Sequence, residues 1–143
     1  MTSFFRAARA GAALGTAIMA SAAVAETMSF KADLKSAPGV SPSTGQGNLT
    51  ATYDTDTRKL SWKGSVSDLS GNVTASHFHG PADPGQNAGV LIPAAGVKVG
   101  AFEGSATLSN DQAKVFTAEK TYFMVHTAAN PGGEVRGQVV KGQ

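Results

Sequence analysis

Apolar and polar residues alternate one by one from Met28 to Lys35, with Met28, Phe30, Ala32 and Leu34 on one side and Ser29, Lys31, Asp33 and Lys35 on the other. Successive side chains point to opposite faces only in an extended chain, so eight residues of period two predict a half-buried strand. The Gly-, Pro- and Ser-rich stretch "SAPGVSPSTGQG" follows, and alternation resumes at Leu49, Ala51 and Tyr53. The polar "DTDTRK" then reads as a turn, and Leu60, Trp62, Gly64 and Val66 continue the pattern, which predicts a hairpin over residues 48–67. Further short runs lie at 73–79, 89–92, 101–107, 121–127 and 134–140. Only "SNDQAKVFTAEK" has helical character, with Ser109 three residues before Gln112 as a capping box. Seven or eight short strands at this spacing predict an all-β fold, an antiparallel Greek-key β-sandwich or barrel with at most one short helix.

The N-terminus reads differently. Arg6 and Arg9 precede an apolar run rich in Ala and Gly, and Ala23-Val24-Ala25 places small residues where a signal peptidase cuts. This is the layout of a secretory signal peptide over residues 1–25, with cleavage near Ala25 and export to the periplasm or the medium. The run falls short of the roughly 20 apolar residues of a membrane span, so no span is expected in the mature chain. A single domain is expected over residues 26–143. The net charge of +2 belongs to the whole chain. Without Arg6 and Arg9 the remainder carries ten basic and ten acidic residues, and no Lys/Arg cluster argues for a nucleic-acid partner. The chain has no cysteine, which excludes disulfides, thiolate metal sites and cysteine nucleophiles, and leaves stability to the core, to a bound metal, or to both.

The three histidines are unevenly spread. His77 and His79 stand two apart on a predicted strand and leave the same face, with Cα atoms about 6.6 Å apart at roughly 3.3 Å of rise per residue. His126 lies on a later strand whose same-face companions are Tyr122 and Met124. If the two strands are neighbours, three imidazoles converge and leave a fourth coordination position open. Three histidines without cysteine suit copper or zinc. Each histidine stands beside a Gly/Pro segment, "HGPADPG" or "HTAANPGG", able to wall the mouth of a site. Hairpin ends need Gly and Pro in any case, and solvent-facing histidines are common on strands, so spacing alone leaves a plain surface patch open. Met124 shares the face of His126 and would add a soft thioether favouring Cu(I), although methionine on a strand is commonly a core filler. Phe78, Phe123 and Val125 take the opposite face and are expected in the core.

In "NPGG", Pro131 and Gly132 occupy the second and third positions of a predicted type II turn. Glu134, Arg136 and Gln138 then share a face. An exposed Glu134–Arg136 ion pair is expected, worth little in water; projection of Arg136 toward the histidines to attract an anion is the other reading.

"HFHGPADPGQNAGVLI" and "YFMVHTAANPGGEVRGQV" together resemble the CHRD domain, the module named after chordin, whose hallmarks are an HxHGPA stretch and a later VHT…NPGGE[IV]RGQ stretch. The resemblance spans roughly Phe30 to Val140 and implies an extracellular domain, here as a single exported unit of the bacterial kind. A fainter similarity, HxH on one strand and a later "VH" strand, is to the copper half of Cu,Zn superoxide dismutase, and it implies a superoxide-dismutase-like barrel with His77, His79 and His126 as copper ligands. A fourth, metal-bridging histidine, a zinc loop and a disulfide are lacking, so at most a mononuclear site is implied.

The function expected from these features is an exported metal-binding protein holding one copper ion, as Cu(I) or Cu(II), through His77, His79 and His126, with zinc as the alternative ion. Storage, sensing, or delivery to another periplasmic protein would follow. Two other classes stay open: a metal-free module binding protein or glycan, and a redox enzyme with weak dismutase-like activity. No Ser-His-Asp set, phosphate loop or carboxylate pair supports hydrolysis.

Overall fold

The structure is a computed structural model, described over residues 11–40 and 42–143. Residues 11–26 form no helix or strand, and Leu14, Ile18, Met19 and Val24 are exposed. Arg6 and Arg9 of the expected signal lie outside the described residues. Among the described residues, no helix is long and apolar enough to cross a membrane.

Among the described residues there are nine antiparallel strands: β1 (Thr27–Ser36), β2 (Gln46–Asp54), β3 (Lys59–Ser67), β4 (Val73–His79), β5 (Val90–Pro93), β6 (Gly100–Thr107), β7 (Tyr122–Thr127), β8 (Val135–Gln138) and β9 (Val140–Lys141), with α1 (Asn110–Thr117) between β6 and β7. Their lateral order is β5-β4-β7-β8-β1-β2-β3-β6, with β9 also beside β1. The predicted hairpin is β2–β3, with Leu49 opposite Gly64 and Ala51 opposite Trp62. The last predicted run divides into β8 and β9 at Val139, whose N–H leaves the ladder and donates to Thr121 O at 2.8 Å.

The sheet folds almost into a barrel because β1 serves both halves. Most of its length pairs with β2, while Lys35 and Ser36 pair with Arg136 and Val135 of β8. The chain leaves one half after β3, makes β4 and β5 in the other, returns for β6 beside β3 and crosses again to β7 beside β4, which are Greek-key connections. This is the all-β, antiparallel barrel with one short helix that the alternation predicts.

The core follows from register. Phe30, Ala51, Trp62 and Gly104 form one inward-facing row across β1, β2, β3 and β6. Large and small residues alternate along it, and a Cβ at Gly104 would come within 2.6 Å of the Trp62 ring. Phe78, Phe123 and Val125 of the other half are fully buried, as expected. Phe116 of α1 lies between the halves, with ring centroids 4.8 Å from Phe30 and 5.8 Å from Phe78. The helix starts as predicted: the Gln112 N–H donates to Ser109 Oγ at 3.1 Å, and the Ser109 N–H donates to Gln112 Oε1 at 2.9 Å.

The "GGEVRGQVV" segment departs from expectation. Glu134 and Arg136 form no ion pair, and both are buried, Glu134 completely. Glu134 accepts from the Ser70 N–H and hydroxyl, from the hydroxyls of Ser43 and Thr127, and from the Asn130 amide. One carboxylate thereby ties together the β1–β2, β3–β4 and β7–β8 connections. Burial pushes its pKa up, but the hydrogen bonds from Ser70, Thr127 and Ser43 outweigh burial and bring it down to about 2. The turn before it is also different. The Gly133 N–H donates to Asn130 O at 3.0 Å, and the positive φ (118°) falls at Gly133 rather than at Gly132, where a type II turn requires it. Gly133 sits so close to Met124 that a Cβ there would lie 2.2 Å from Sδ, which explains the glycine at this place.

Candidate metal centre

The end of β4 and the middle of β7 build the site. The strands are antiparallel neighbours, with Ala75 opposite His126, His77 opposite Met124, and His79 opposite Tyr122. The odd-numbered residues of β4 and the even-numbered residues of β7 therefore share the outer face, and Phe78, Phe123 and Val125 anchor the inner one. This face is not bare. The chains after β1 and β4 fold over it, so Tyr122 and Met124 join Ala37 and Ala82 in a second apolar cluster.

Three imidazoles meet at the edge of that cluster. Their ring centroids are 5.1 Å apart for His77–His126, 5.4 Å for His77–His79 and 5.7 Å for His79–His126. One nitrogen from each lies within 4.8 Å of the others. Three nitrogens bound at 2.0–2.1 Å around one ion stand about 3.5 Å apart, so the triad would have to draw together by up to about 1.3 Å on binding.

Hydrogen bonds decide which nitrogens face inward. His126 Nδ1 is 2.9 Å from Pro131 O, and His79 Nδ1 is 3.0 Å from Ala88 O. A carbonyl can only accept, so both rings carry their proton on Nδ1 and turn an Nε2 lone pair to the cluster. The outer nitrogen of a metal-ligating histidine commonly donates in this way. His126 Nε2 is 3.3 Å from His77 Nδ1. His79 Nε2 is buried and has no hydrogen-bond partner, an arrangement that costs about 1–3 kcal/mol for a neutral polar group and calls for an explanation. Burial lowers the pKa of His77, and a protonated His126 would lower it further. Burial also lowers that of His79; the bond to Ala88 opposes the change, while His77, His126 and Arg136 add to it. Both rings therefore stay unprotonated below the ordinary histidine range, the form in which imidazole binds metal.

Behind His79 lies a stack that the sequence did not disclose. The Tyr122 ring is parallel to His79 (1° between planes, centroids 4.9 Å apart), and Arg136 Cζ sits 3.5 Å from the centre of the Tyr122 ring. Tyr122 stands between β4 and β8, so Arg136 does not project into the histidines. Its Nη atoms donate to Asn87 Oδ1 at 2.9 Å and Gln86 O at 2.8 Å. The Tyr122 hydroxyl donates to Ala88 O and accepts from the Ala88 N–H, both at 3.1 Å. Residues 86–88, just beyond the predicted Gly/Pro wall, hold the stack and His79 together. Met124, the fourth candidate, is buried in the second cluster with its sulfur against Gly133, on the β8 side of β7.

Fold and site together define a small β-barrel domain whose outer face carries a histidine triad held by the loops that follow β4 and β7. Residues 30–139 match the family model described as CHRD domain. The chain belongs to the CHRD family, whose domains are extracellular. No curated protein and no solved structure matches it, so the likeness to the copper half of Cu,Zn superoxide dismutase rests on the histidine pattern alone.

Proposed function

We propose that this protein is exported and binds one copper ion through His77, His79 and His126, serving to store, sense or hand on the metal. The observation that carries the reading is the buried Nε2 of His79, without a hydrogen-bond partner among the described residues, in a triad that brings one nitrogen of each ring within 4.8 Å of the others. A donor set of neutral nitrogens without carboxylates suits copper, with zinc the next candidate. His77 and His126 are partly exposed, which fits an ion that enters and leaves. Met124 enters the proposal as a neighbour of the site rather than as a required donor. Weak dismutase-like chemistry would need the open coordination position and has no positioned acid or base to support it.

The test is a titration of residues 26–143 with Cu(II), and with Cu(I) under reductant, beside the triple His→Ala variant. One equivalent with nitrogen hyperfine structure in the Cu(II) spectrum is expected, and neither in the variant. Protons compete with metal for imidazole, and His77 and His79 titrate below the usual value of about 6.5. Affinity is therefore expected to be lost as pH falls from 7.5 through those lowered pKa values. Full occupancy at pH 4 contradicts an all-histidine site.

The metal-free interaction module has one observation of its own. A groove of about 970 Å³ crosses the outer face of β1, β2, β3 and β6, lined by Lys31, Lys63, Thr50, Ser61 and Glu103 among others. It predicts that His77→Ala leaves partner binding unchanged, and that the triple variant takes up copper as weakly as the native chain.

A further inference from the structure

Arg136 presents a full positive charge, largely shielded from solvent, close behind the histidine triad. It is 9% exposed. Its guanidinium is pinned by Asn87 and Gln86 and pressed on the Tyr122 ring, whose other face is stacked on His79. The two stacking distances together put Cζ within about 8.4 Å of the centre of the His79 ring, less than a Debye length at moderate salt. No carboxylate answers it: Glu134 bonds to Ser43, Ser70, Thr127 and Asn130 instead, and the single ion pair among the described residues is Lys120–Asp83, on other side chains. A charge without an ion-pair partner at this place acts on any ion the imidazoles hold.

We infer that Arg136 determines the charge preference of the site, turning a triad of neutral imidazoles toward a monovalent ion, Cu(I), and away from divalent Zn(II) and Cu(II). The inference rests on the metal-binding reading above and adds to it the identity of the ion. The preference follows from how repulsion scales with ionic charge. The ligands are the same for each ion, but repulsion from a fixed charge grows in proportion to the charge of the ion, so a divalent ion is opposed twice as strongly as a monovalent one. The ion would lie about 3 Å beyond the ring centre, and at roughly 11.5 Å with an effective dielectric constant near 20 the difference amounts to about tenfold in relative affinity. Arginine suits the role because it stays charged when buried and stacks on an aromatic face. The Tyr122 ring keeps it from becoming an anion site, since it separates the guanidinium from the open side of the triad. Arg136 is thus a specificity-determining residue that touches neither metal nor ligand directly.

Competition with chelators of known affinity measures the dissociation constants for Cu(I) and Zn(II) in the native protein and in Arg136→Gln, Arg136→Met and Arg136→Lys. The neutral variants are expected to gain about tenfold in Zn(II) affinity relative to Cu(I), while Arg136→Lys keeps the native ratio. Arg136→Met retains a long stem over Tyr122 and makes the same comparison if the glutamine variant does not fold. The Cu(II)/Cu(I) potential should fall by about 60 mV in the neutral variants, the one-electron equivalent of tenfold. An unchanged ratio in the neutral variants overturns the inference, as does an equal loss of both metals, which is what a purely structural arginine would give. If the native protein binds neither ion, the copper reading itself falls; if it binds copper and the ratio does not move, only the role of Arg136 falls.

Discussion

Glu134→Gln is expected to lose on the order of 3–5 kcal/mol of folding stability at pH 7, the range for breaking a buried, fully hydrogen-bonded charge. The carboxylate is completely buried and is met by donors only: a backbone N–H, three hydroxyls and an amide. An amide in its place turns an NH2 group toward at least one of these donors. The Ser70 N–H reaches both carboxylate oxygens, at 2.8 and 3.2 Å, and keeps one acceptor in either placement, so the loss comes from the missing charge and from the donors left facing an NH2 group. For a domain of this size the midpoint should fall by roughly 10–20 °C. The loss should depend on pH. The folded-state pKa is depressed to about 2 from 4.5, so the contribution is fully present above about 4.5 and is lost as pH falls toward 2. Denaturant unfolding of both proteins at pH 7 and pH 2.5 checks this. A difference below about 1 kcal/mol at pH 7 would mean that the hub carries no such weight.

His79→Phe is expected to do the opposite to stability while destroying the site. Phenylalanine keeps an aromatic ring against Tyr122, now parallel at 4.9 Å, and removes the partnerless Nε2. Ala88 O loses the His79 donor but retains the Tyr122 hydroxyl, so no new orphan is created. The metal-free variant should equal the native protein or exceed it by about 1 kcal/mol. Metal affinity should fall at least 100-fold, because the two remaining imidazoles do not complete a three-nitrogen set. Stability gained where binding is lost is the pattern of a residue kept for function rather than for folding. A variant destabilised by more than about 2 kcal/mol would instead make His79 an ordinary packed residue.

The strands were legible because a period of two is a property of the extended backbone itself: Met28 to Leu34 and Leu60 to Val66 could alternate in no other conformation. The histidine triad was legible for the same reason. Two residues apart means one face, and β4 and β7 are neighbours, so the condition placed on His126 is met. What escaped reading depends on coverage of the outer face. Glu134 and Arg136 have the spacing of solvent-facing residues, and nothing periodic announces that residues 37–40, 42–45 and 80–89 fold over them. The partners are serine hydroxyls, an Asn130 amide and the carbonyls of Gln86, Ala88 and Pro131, which any loop possesses. The turn at Asn130–Gly133 shows the same limit on a smaller scale: two adjacent glycines offered two places for the positive φ, and the approach of Met124 selected Gly133.

In the proposed site the nitrogens of His77, His79 and His126 share one ion. X-ray absorption at the copper edge of the native protein with one equivalent of Cu(I) tests it most directly. Three nitrogen scatterers near 2.0 Å, with the outer-shell pattern of imidazole rings, are predicted. Two or fewer imidazoles, or a first shell dominated by oxygen, would contradict it.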